Sequence, residues 1–454
     1  MNLLRCGLWV IMLACAYRAQ ADDLLLIYQQ ALDADPKSKS AVEKVGMGAA
    51  QKNQALGQML PQVSLTGNWS DNRSTTTAAT PATSTSKALP VHDAITNYPG
   101  TRYYLSLSQS LMDFGKFWAW RQASKVEDQY ETEAIEAHNQ LMFDVVDHYF
   151  SELQAEDEVY FAQTETLATE KKLAQIQKQY AKQLLKITDL YAIEARLDQL
   201  KAAEIVAESK RITALASLSE LTGVASAPLN HLKAQVDYVE IQGNLQQWLE
   251  MAQSQNPAIS AKQKAVLAAD VNVTAQKAKY MPTADLQLNY YNTDTGYQSS
   301  ASPPVQVQTA AINVVVPLFS GGITYNQVSE AKYRLQMTKN DNEATMRAIT
   351  KETSDAFLST NAATHSIKAS QKALESTSKS FEAMEKGYRL GVVTISDLIK
   401  AQQDEFSAKK DLAVAKYTYI KNRIRFMHAI GSIGEENLHE VNDWLEVKTN
   451  AVGG

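Results

Sequence analysis

Cysteine is almost missing from this chain of 454 residues: there are two, Cys6 and Cys15, and both lie at the very start. Once that leader is removed, no disulfide framework and no thiolate metal site is available. Stability must then come from packing and association. A basic excess is missing too. Lys and Arg number 44 against 50 Asp and Glu, a formal charge of -6, and the cations are scattered. No field for nucleic acid results. Long hydrophobic runs are also lacking, although 45% of residues are hydrophobic. That is too much for a disordered chain and too little for a polytopic helical membrane protein. Catalytic signatures are missing as well. The seven histidines show no HExxH spacing, and neither a P-loop nor a serine nucleophile elbow occurs. His138 and His148 share one predicted helix and read as surface or core residues. The expectation is a non-enzyme without cofactor or metal.

What is present begins with a leader. Met1 to Arg5 is a short basic stretch, Gly7 to Ala16 is apolar, and Ala19-Gln20-Ala21 supplies small residues before Asp22. Residues 1–21 therefore read as a secretory signal peptide, too short in its apolar part to span a bilayer. Met12-Leu13-Ala14-Cys15 loosely resembles a lipoprotein cleavage site, with Met and Leu poor fits, so acylation of Cys15 is left open. On either reading the mature chain leaves the cytoplasm.

The rest reads as two copies of one unit. Asp35-Pro36 and Asn256-Pro257 stand 221 residues apart, and the same offset carries Leu60-Pro61 onto Met281-Pro282. Leu111 to Gly115 matches Leu318 to Gly322 at an offset of 207, so a loop is shorter in the second copy. Tyr180, Ile187, Asp189, Leu190 and Gly223 map onto Tyr388, Ile395, Asp397, Leu398 and Gly431 at an offset of 208. Matches kept in order point to a tandem duplication. Repeat 1 is predicted over 22–223 and repeat 2 over 246–431, with 224–245 as linker and 432–454 as a C-terminal segment.

Each copy reads helix, strand, loop, strand, very long helix, tip and helix. The strands are predicted at 60–72, 102–112, 284–291 and 305–318, all alternating with period two. Val63, Leu65 and Trp69 oppose Gln62, Ser64, Thr66 and Asn68; Leu105, Leu107 and Leu111 oppose Tyr104, Ser106, Ser108 and Ser110. Leu286, Leu288 and Tyr290 oppose Asp285, Gln287 and Asn289; Ile312, Val314, Val316 and Leu318 oppose Asn313, Val315 and Pro317. An apolar face on a secreted chain suggests a lipid-facing barrel, and a sandwich with one solvated face fits the strands equally well. Trp69, Tyr98, Tyr103, Tyr290 and Tyr291 are candidates for one aromatic girdle, and Phe114, Phe117, Trp118 and Phe319 for the other. Segments 73–97 and 292–304, rich in Ser, Thr, Ala and Pro, read as mobile surface loops. Four strands leave two unpaired edges, which no bilayer tolerates, so a barrel needs further copies of this chain. From Gly115 to about Ala181 there is neither proline nor internal glycine. Such a helix would be about 100 Å long, and a mate runs from about Gly322 to Lys386. Rods of that length are stable side by side, as in coiled coils.

The order of these pieces resembles the TolC family of outer-membrane factors, over about Asp22 to Gly434. The elements that carry the likeness are Asp35-Pro36 and Asn256-Pro257, Pro61 and Pro282, and the run Val316 to Gly322. The tip Gly387-Tyr388-Arg389-Leu390-Gly391-Val392-Val393-Thr394-Ile395-Ser396-Asp397-Leu398 completes them. The resemblance implies a mainly α fold with a membrane β-barrel contribution: a trimeric α/β-barrel with four strands and long coiled-coil helices per chain. The homotrimer would form a passive channel in outer-membrane lipid, continued as a periplasmic helical tunnel. A periplasmic adaptor (membrane fusion) protein would join it to an inner-membrane RND or ABC transporter, and 224–245 and 432–454 would form an equatorial belt. The competing reading is a periplasmic structural or adaptor coiled coil without a pore. It is disfavoured by four strands at matched places. A third, an uptake porin, lacks long helices.

By the same resemblance the tips, near 182–189 and 387–397, close the periplasmic end. Asp397 would form an acidic ring, with Thr188, Asp189 and Tyr388 in a hydrogen-bonding network. Arg389, Leu390, Gly391, Val392 and Leu184 would meet the adaptor. Asp189 and Asp397 are also placed to cap the returning helices, and the two roles are compatible. Three departures from the family pattern matter. Lys400 stands where a second aspartate is common and is expected to neutralise Asp397 or pair with it at i, i+3. Val393 stands where a basic residue is common, and Gln183 replaces the turn glycine matched by Gly391.

Overall fold

The computed structural model describes residues 23–78, 92–183, 185–224, 228–294, 297 and 303–446. The leader, both cysteines and Leu184 lie outside the described residues, as do 79–91 and most of 295–302. The chain forms two compact units. One comprises Met1–Ala41, Glu133–Ser260 and Thr345–Gly454; the other comprises Val42–Thr132 and Ala261–Ala344.

Helices α1 (Leu24–Ala34) and α2 (Pro36–Gly57) are separated by Asp35 alone. The reason is local. Proline at the first position of α2 has no N–H to lose there, and the Asp35 carboxylate accepts from Ser38 N at 2.7 Å. Asn256 does the same between α5 (Leu245–Gln255) and α6 (Pro257–Ala278), accepting from Ala258 N at 2.9 Å. Its amide also donates to Ala429 O, 2.9 Å away. Each Asx-Pro pair is thus a helix break with its own cap.

The sheet unit holds β1 (Gln62–Ala78), β2 (His92–Met112), β4 (Thr283–Thr293) and β5 (Val305–Val315). Between them in sequence lies the short β3 (His231–Leu232), which belongs to the other unit. The order is β1-β2-β4-β5, antiparallel throughout, with Leu65 opposite Leu105 and Leu107 opposite Leu288. The first hairpin is longer than the sequence suggests. Residues 73–78 and 92–97, expected as loop, are strand, because the run Ser74 to Thr77 is largely β-branched and extends the ladder. Pro99 is tolerated where β4 has already ended, since Thr293 lies opposite Arg102 and β2 has one partner there. The last strand is shorter than expected. It stops at Val315, two residues before Pro317, which has no N–H to offer a ladder. Residues 316–318 are therefore not strand.

The alternation holds through most of the sheet but not at the start of β5, where Val305 and Val307 share the polar face. The apolar face is exposed: Val63, Leu65, Trp69, Leu105, Ile312 and Val314 all stand open on it. Trp69 and Tyr103 meet edge to face with centroids 5.9 Å apart. Two girdle assignments need correction. Tyr98 is paired with Asn72 and Tyr291 with Tyr104, so strict alternation puts both on the polar face. Trp69, Tyr103 and Tyr290 remain on the apolar one.

The other unit is packed by helices. α3 (Phe114–Ala181) and α7 (Ile323–Arg389) run 68 and 67 residues; α4 (Ile187–Thr222) and α8 (Ile395–Ala429) run 36 and 35. Leu24, Ile27, Tyr149, Phe150, Leu153, Leu218 and Tyr419 form a fully buried core, joined by Leu438 and Val441 of α9 (Glu435–Asn442). Buried Thr353 and Thr360 satisfy their hydroxyls on the carbonyls four residues back. Segment 228–244 is held by tyrosines: Tyr149 donates to Asn230 O and Tyr419 to Val239 O, at 3.1 and 2.8 Å. It pairs with the C-terminal segment through β3 and β6 (Leu445–Glu446). Gly431 ends α8 in the left-handed region (φ 75°), and a Cβ there would lie 2.7 Å from Gln255 O, so glycine is required twice over.

Among the described residues no helix is long and apolar enough to cross a membrane. That does not bear on the sheet.

Candidate functional site

Four helix ends meet where α3 turns into α4 and α7 into α8. Ile176, Ile193, Ile395 and Leu398 are buried together there, with Leu173, Leu190, Phe381, Met384 and Tyr388 packed around them. Each helix contributes to this cluster, so the two turns are one packed body and not two independent loops.

The second turn is closed by matched contacts. Gly391 takes φ 77°, and Val392 N returns to Gly387 O at 3.0 Å, capping the end of α7. Val393 folds back on Gly387 so closely that a Cβ there would lie 2.6 Å from its methyl. Thr394 then caps α8. It receives Asp397 N at 3.2 Å, while Asp397 Oδ2 accepts from Thr394 Oγ1 at 2.6 Å and from Thr394 N at 3.4 Å. The first turn is built from weaker parts. Gln183 is forced to φ 62°, alone among the described non-glycine residues. Lys186 sits at the N-cap without a side-chain acceptor, and only Asp189 Oδ2 accepts, from Lys186 N at 3.4 Å. Both aspartates therefore cap their helices.

The polar residues singled out from the sequence are partly brought together. Tyr388 does not hydrogen-bond Asp189. Its hydroxyl donates to Gln179 Oε1 at 3.2 Å, and Lys172 Nζ lies over its ring, 5.2 Å from the centroid. Asp189 acts on Tyr388 through space: burial raises the phenol above its ordinary value, and the nearby carboxylate raises it further. Burial also lowers the Lys172 ammonium; Glu385 opposes that and Arg389 adds to it. Thr188 is exposed on the first turn of α4. Lys400 does not pair with Asp397. Its ammonium lies 3.6 Å from Asp404, one helical turn on, because the i, i+4 partner lies along the same face while Asp397 is turned back into its cap. Arg389 pairs with Glu385 at 3.0 Å, and Leu390 and Val392 are each 79% exposed at the apex.

Gln179, Lys172 and the Gly387–Val393 contact were not singled out from the sequence. A signal existed for the first two: both are polar residues on the last turns of α3, and Gln179 adjoins Tyr180, the match of Tyr388. Nothing in the sequence marks the third.

A family profile described as Outer membrane efflux protein matches residues 248–432. Outer membrane protein TolC of Salmonella enteritidis is 26% identical over 446 residues, spanning 94% of this chain and 85% of that protein. Alkaline protease secretion protein AprF of Pseudomonas aeruginosa is 24% identical, over 91% of this chain and 85% of that one. The fold is similar to that of the Campylobacter jejuni CmeC outer membrane channel, with a TM-score of 0.75 at 17% identity, covering 93% and 90% of the two chains. These relatives are channel proteins and not enzymes. With the sheet, the paired long helices and the packed tip in place, the chain is similar over most of its length to outer-membrane efflux and secretion proteins, TolC among them.

Proposed function

We propose that this chain is a passive export duct: a homotrimer whose sheets close into one twelve-stranded outer-membrane barrel, continued by a helical tunnel in the periplasm. The observation that carries it is the four-stranded sheet, polar on one face, apolar and exposed on the other, and unpaired at β1 and β5. Only neighbours of the same kind satisfy both edges and both faces in a bilayer. The near-equal lengths of corresponding helices support a duplicated unit. Segments 224–245 and 432–454 are read as the belt. Energy comes from an inner-membrane RND or ABC transporter through a periplasmic adaptor, which the exposed Leu390 and Val392 are suited to meet. Relatives named for efflux and for protease secretion imply that the pump, not the duct, selects cargo.

The tip is the gate in this reading. Tyr388 ties α7 to α3 through Gln179, and a bond of this kind contributes only about 0.5–1.5 kcal/mol. Removing it in three subunits shifts a nearly shut population toward open, since 1.4 kcal/mol is about tenfold. Tyr388→Phe is expected to raise single-channel conductance in a planar bilayer, and Asp189→Ala with Tyr388→Phe to raise it more, both with the trimer intact. Asp397→Ala should lower cation preference, and Lys400→Ala should change it little, because Lys400 faces Asp404. Unchanged conductance and reversal potential in all of these variants would leave the aspartates as helix caps alone. A folded monomer by light scattering would remove the barrel.

A further inference from the structure

Arg102 is the most unusual side chain on the polar face of the sheet. It stands on β2 opposite Asn68 of β1 and Thr293 of β4. Its guanidinium carbon lies 5.8, 5.2 and 5.3 Å from the ring centroids of Tyr104, Tyr291 and Tyr297. No carboxylate pairs with it among the described residues. Asp294, the nearest acid in sequence beyond β4, is instead turned to Thr101, accepting from its N–H at 2.9 Å and from its hydroxyl. Arg102 Nε is buried and has no hydrogen-bond partner, and so is Thr293 Oγ1, on a residue only 4% exposed. These two atoms belong to cross-strand neighbours on one face, and buried polar atoms are ordinarily satisfied. Two unsatisfied polar atoms on paired residues, one of them on a side chain ringed by tyrosines, make a prepared place.

We infer that Arg102 and Thr293, caged by Tyr104, Tyr291 and Tyr297, form a lumenal site for an aromatic carboxylate. The inference rests on the barrel reading, which puts this polar face toward the pore. The chemistry follows from the guanidinium. Three tyrosine rings stand around it at these distances and hold it in place by cation–π attraction. Its Nε–H, which has no partner, remains for an oxygen anion, and with an Nη–H turned to the same anion a guanidinium binds it through two parallel bonds. Thr293 supplies a hydroxyl to the same anion. The tyrosine rings offer offset or edge contacts to an aryl group attached to it. Tyr104 is itself fixed, its hydroxyl donating to Asn289 Oδ1 at 2.8 Å, so one wall is preorganised. A cation with no counter-charge among the described residues, in each copy around a pore, also favours anions over cations at that level.

The test uses the full-length trimer in planar bilayers, with benzoate as the probe. Benzoate is expected to block the wild-type current. Arg102→Gln should raise the half-blocking concentration by about tenfold or more, as loss of a charged hydrogen bond implies, and move the reversal potential toward cations. Arg102→Lys should keep the selectivity but lose most of the block, because an ammonium has no planar fork. Thr293→Val should weaken the block about threefold or more, which keeps the site testable if Arg102→Gln fails to assemble. Channels of normal conductance in which Arg102→Lys and Thr293→Val leave the block unchanged would overturn the site and spare the duct. Absence of conductance from every variant and from the wild type would overturn the duct, and the site with it.

Discussion

The two helical turns of the tip occupy corresponding places in sequence and share one apolar cluster, yet they are built to different standards. At the second, a glycine takes the left-handed position, a threonine and an aspartate cap each other, and Val393 seats against a bare Gly387. At the first, Gln183 takes the same backbone conformation with a side chain, and Lys186 offers no acceptor to the helix it begins. A left-handed residue other than glycine costs about 1–2 kcal/mol, and a missing cap about 1 kcal/mol. The comparison teaches that the first turn is the weaker one. A shared core can hold a poorly closed turn next to a well closed one.

Substitutions can break or sharpen this contrast. The largest effect is expected at Gly387→Ala. Its Cβ would meet a stiff valine methyl, and overpacking of that kind costs about 1–3 kcal/mol. Hydrogen exchange over 382–398 should speed up accordingly. With Val393→Ala also present the sign should reverse, since alanine is then the better helix former by about 1 kcal/mol. An unchanged exchange rate in Gly387→Ala would show that the turn has room to give.

Next come the caps, which can be exchanged. Thr394→Ala should cost the second turn about 1 kcal/mol of local stability, and Lys186→Thr should add about as much to the first. Measured by exchange at the first amides of α8 and α4, the pair should bring the two turns level. A gain at neither site would mean that the apolar cluster alone sets their stability. The smallest effect is expected at Gln183→Gly. Relief of the left-handed strain is partly offset by the freer unfolded chain, leaving about 0.5–1 kcal/mol. Slower exchange at residues 180–186 is the expected outcome, and faster exchange would show that the Gln183 side chain contributes contacts worth more than the strain.

Much of this architecture was legible in the residues, and the reasons are local. Asx-Pro pairs announce helix breaks because cap and proline act within three residues. Period-two alternation located the four strands of the large sheet, though not the short β3 and β6, and the long stretch without proline or glycine located α3 within a residue. What escaped depended on neighbours distant in sequence or on details of angle. Thr-rich 73–78 reads as loop by composition, and becomes strand only because 92–97 lies opposite. Tyr98 and Tyr291 looked like girdle residues until the register fixed their face. Tyr388 was singled out, but its partner Gln179 lies 209 residues away, beyond the reach of any spacing argument. Lys400 chose Asp404 over Asp397 because the cap had already turned Asp397 aside.

The strand order β1-β2-β4-β5 also dictates a symmetry. The two free edges are different strands, and because four antiparallel strands alternate in direction, β5 of one copy meets β1 of the next antiparallel. Joining an edge to itself would turn one copy end for end, which a common direction of insertion forbids. The contact in the proposed barrel would be heterologous, head to tail, and such contacts either close into a ring or run on without limit. The proposed twelve-stranded barrel is the ring. On the proposed assembly no two-fold dimer lies on the route, and a copy with one spoiled edge would stop a ring from closing while still joining it at the other.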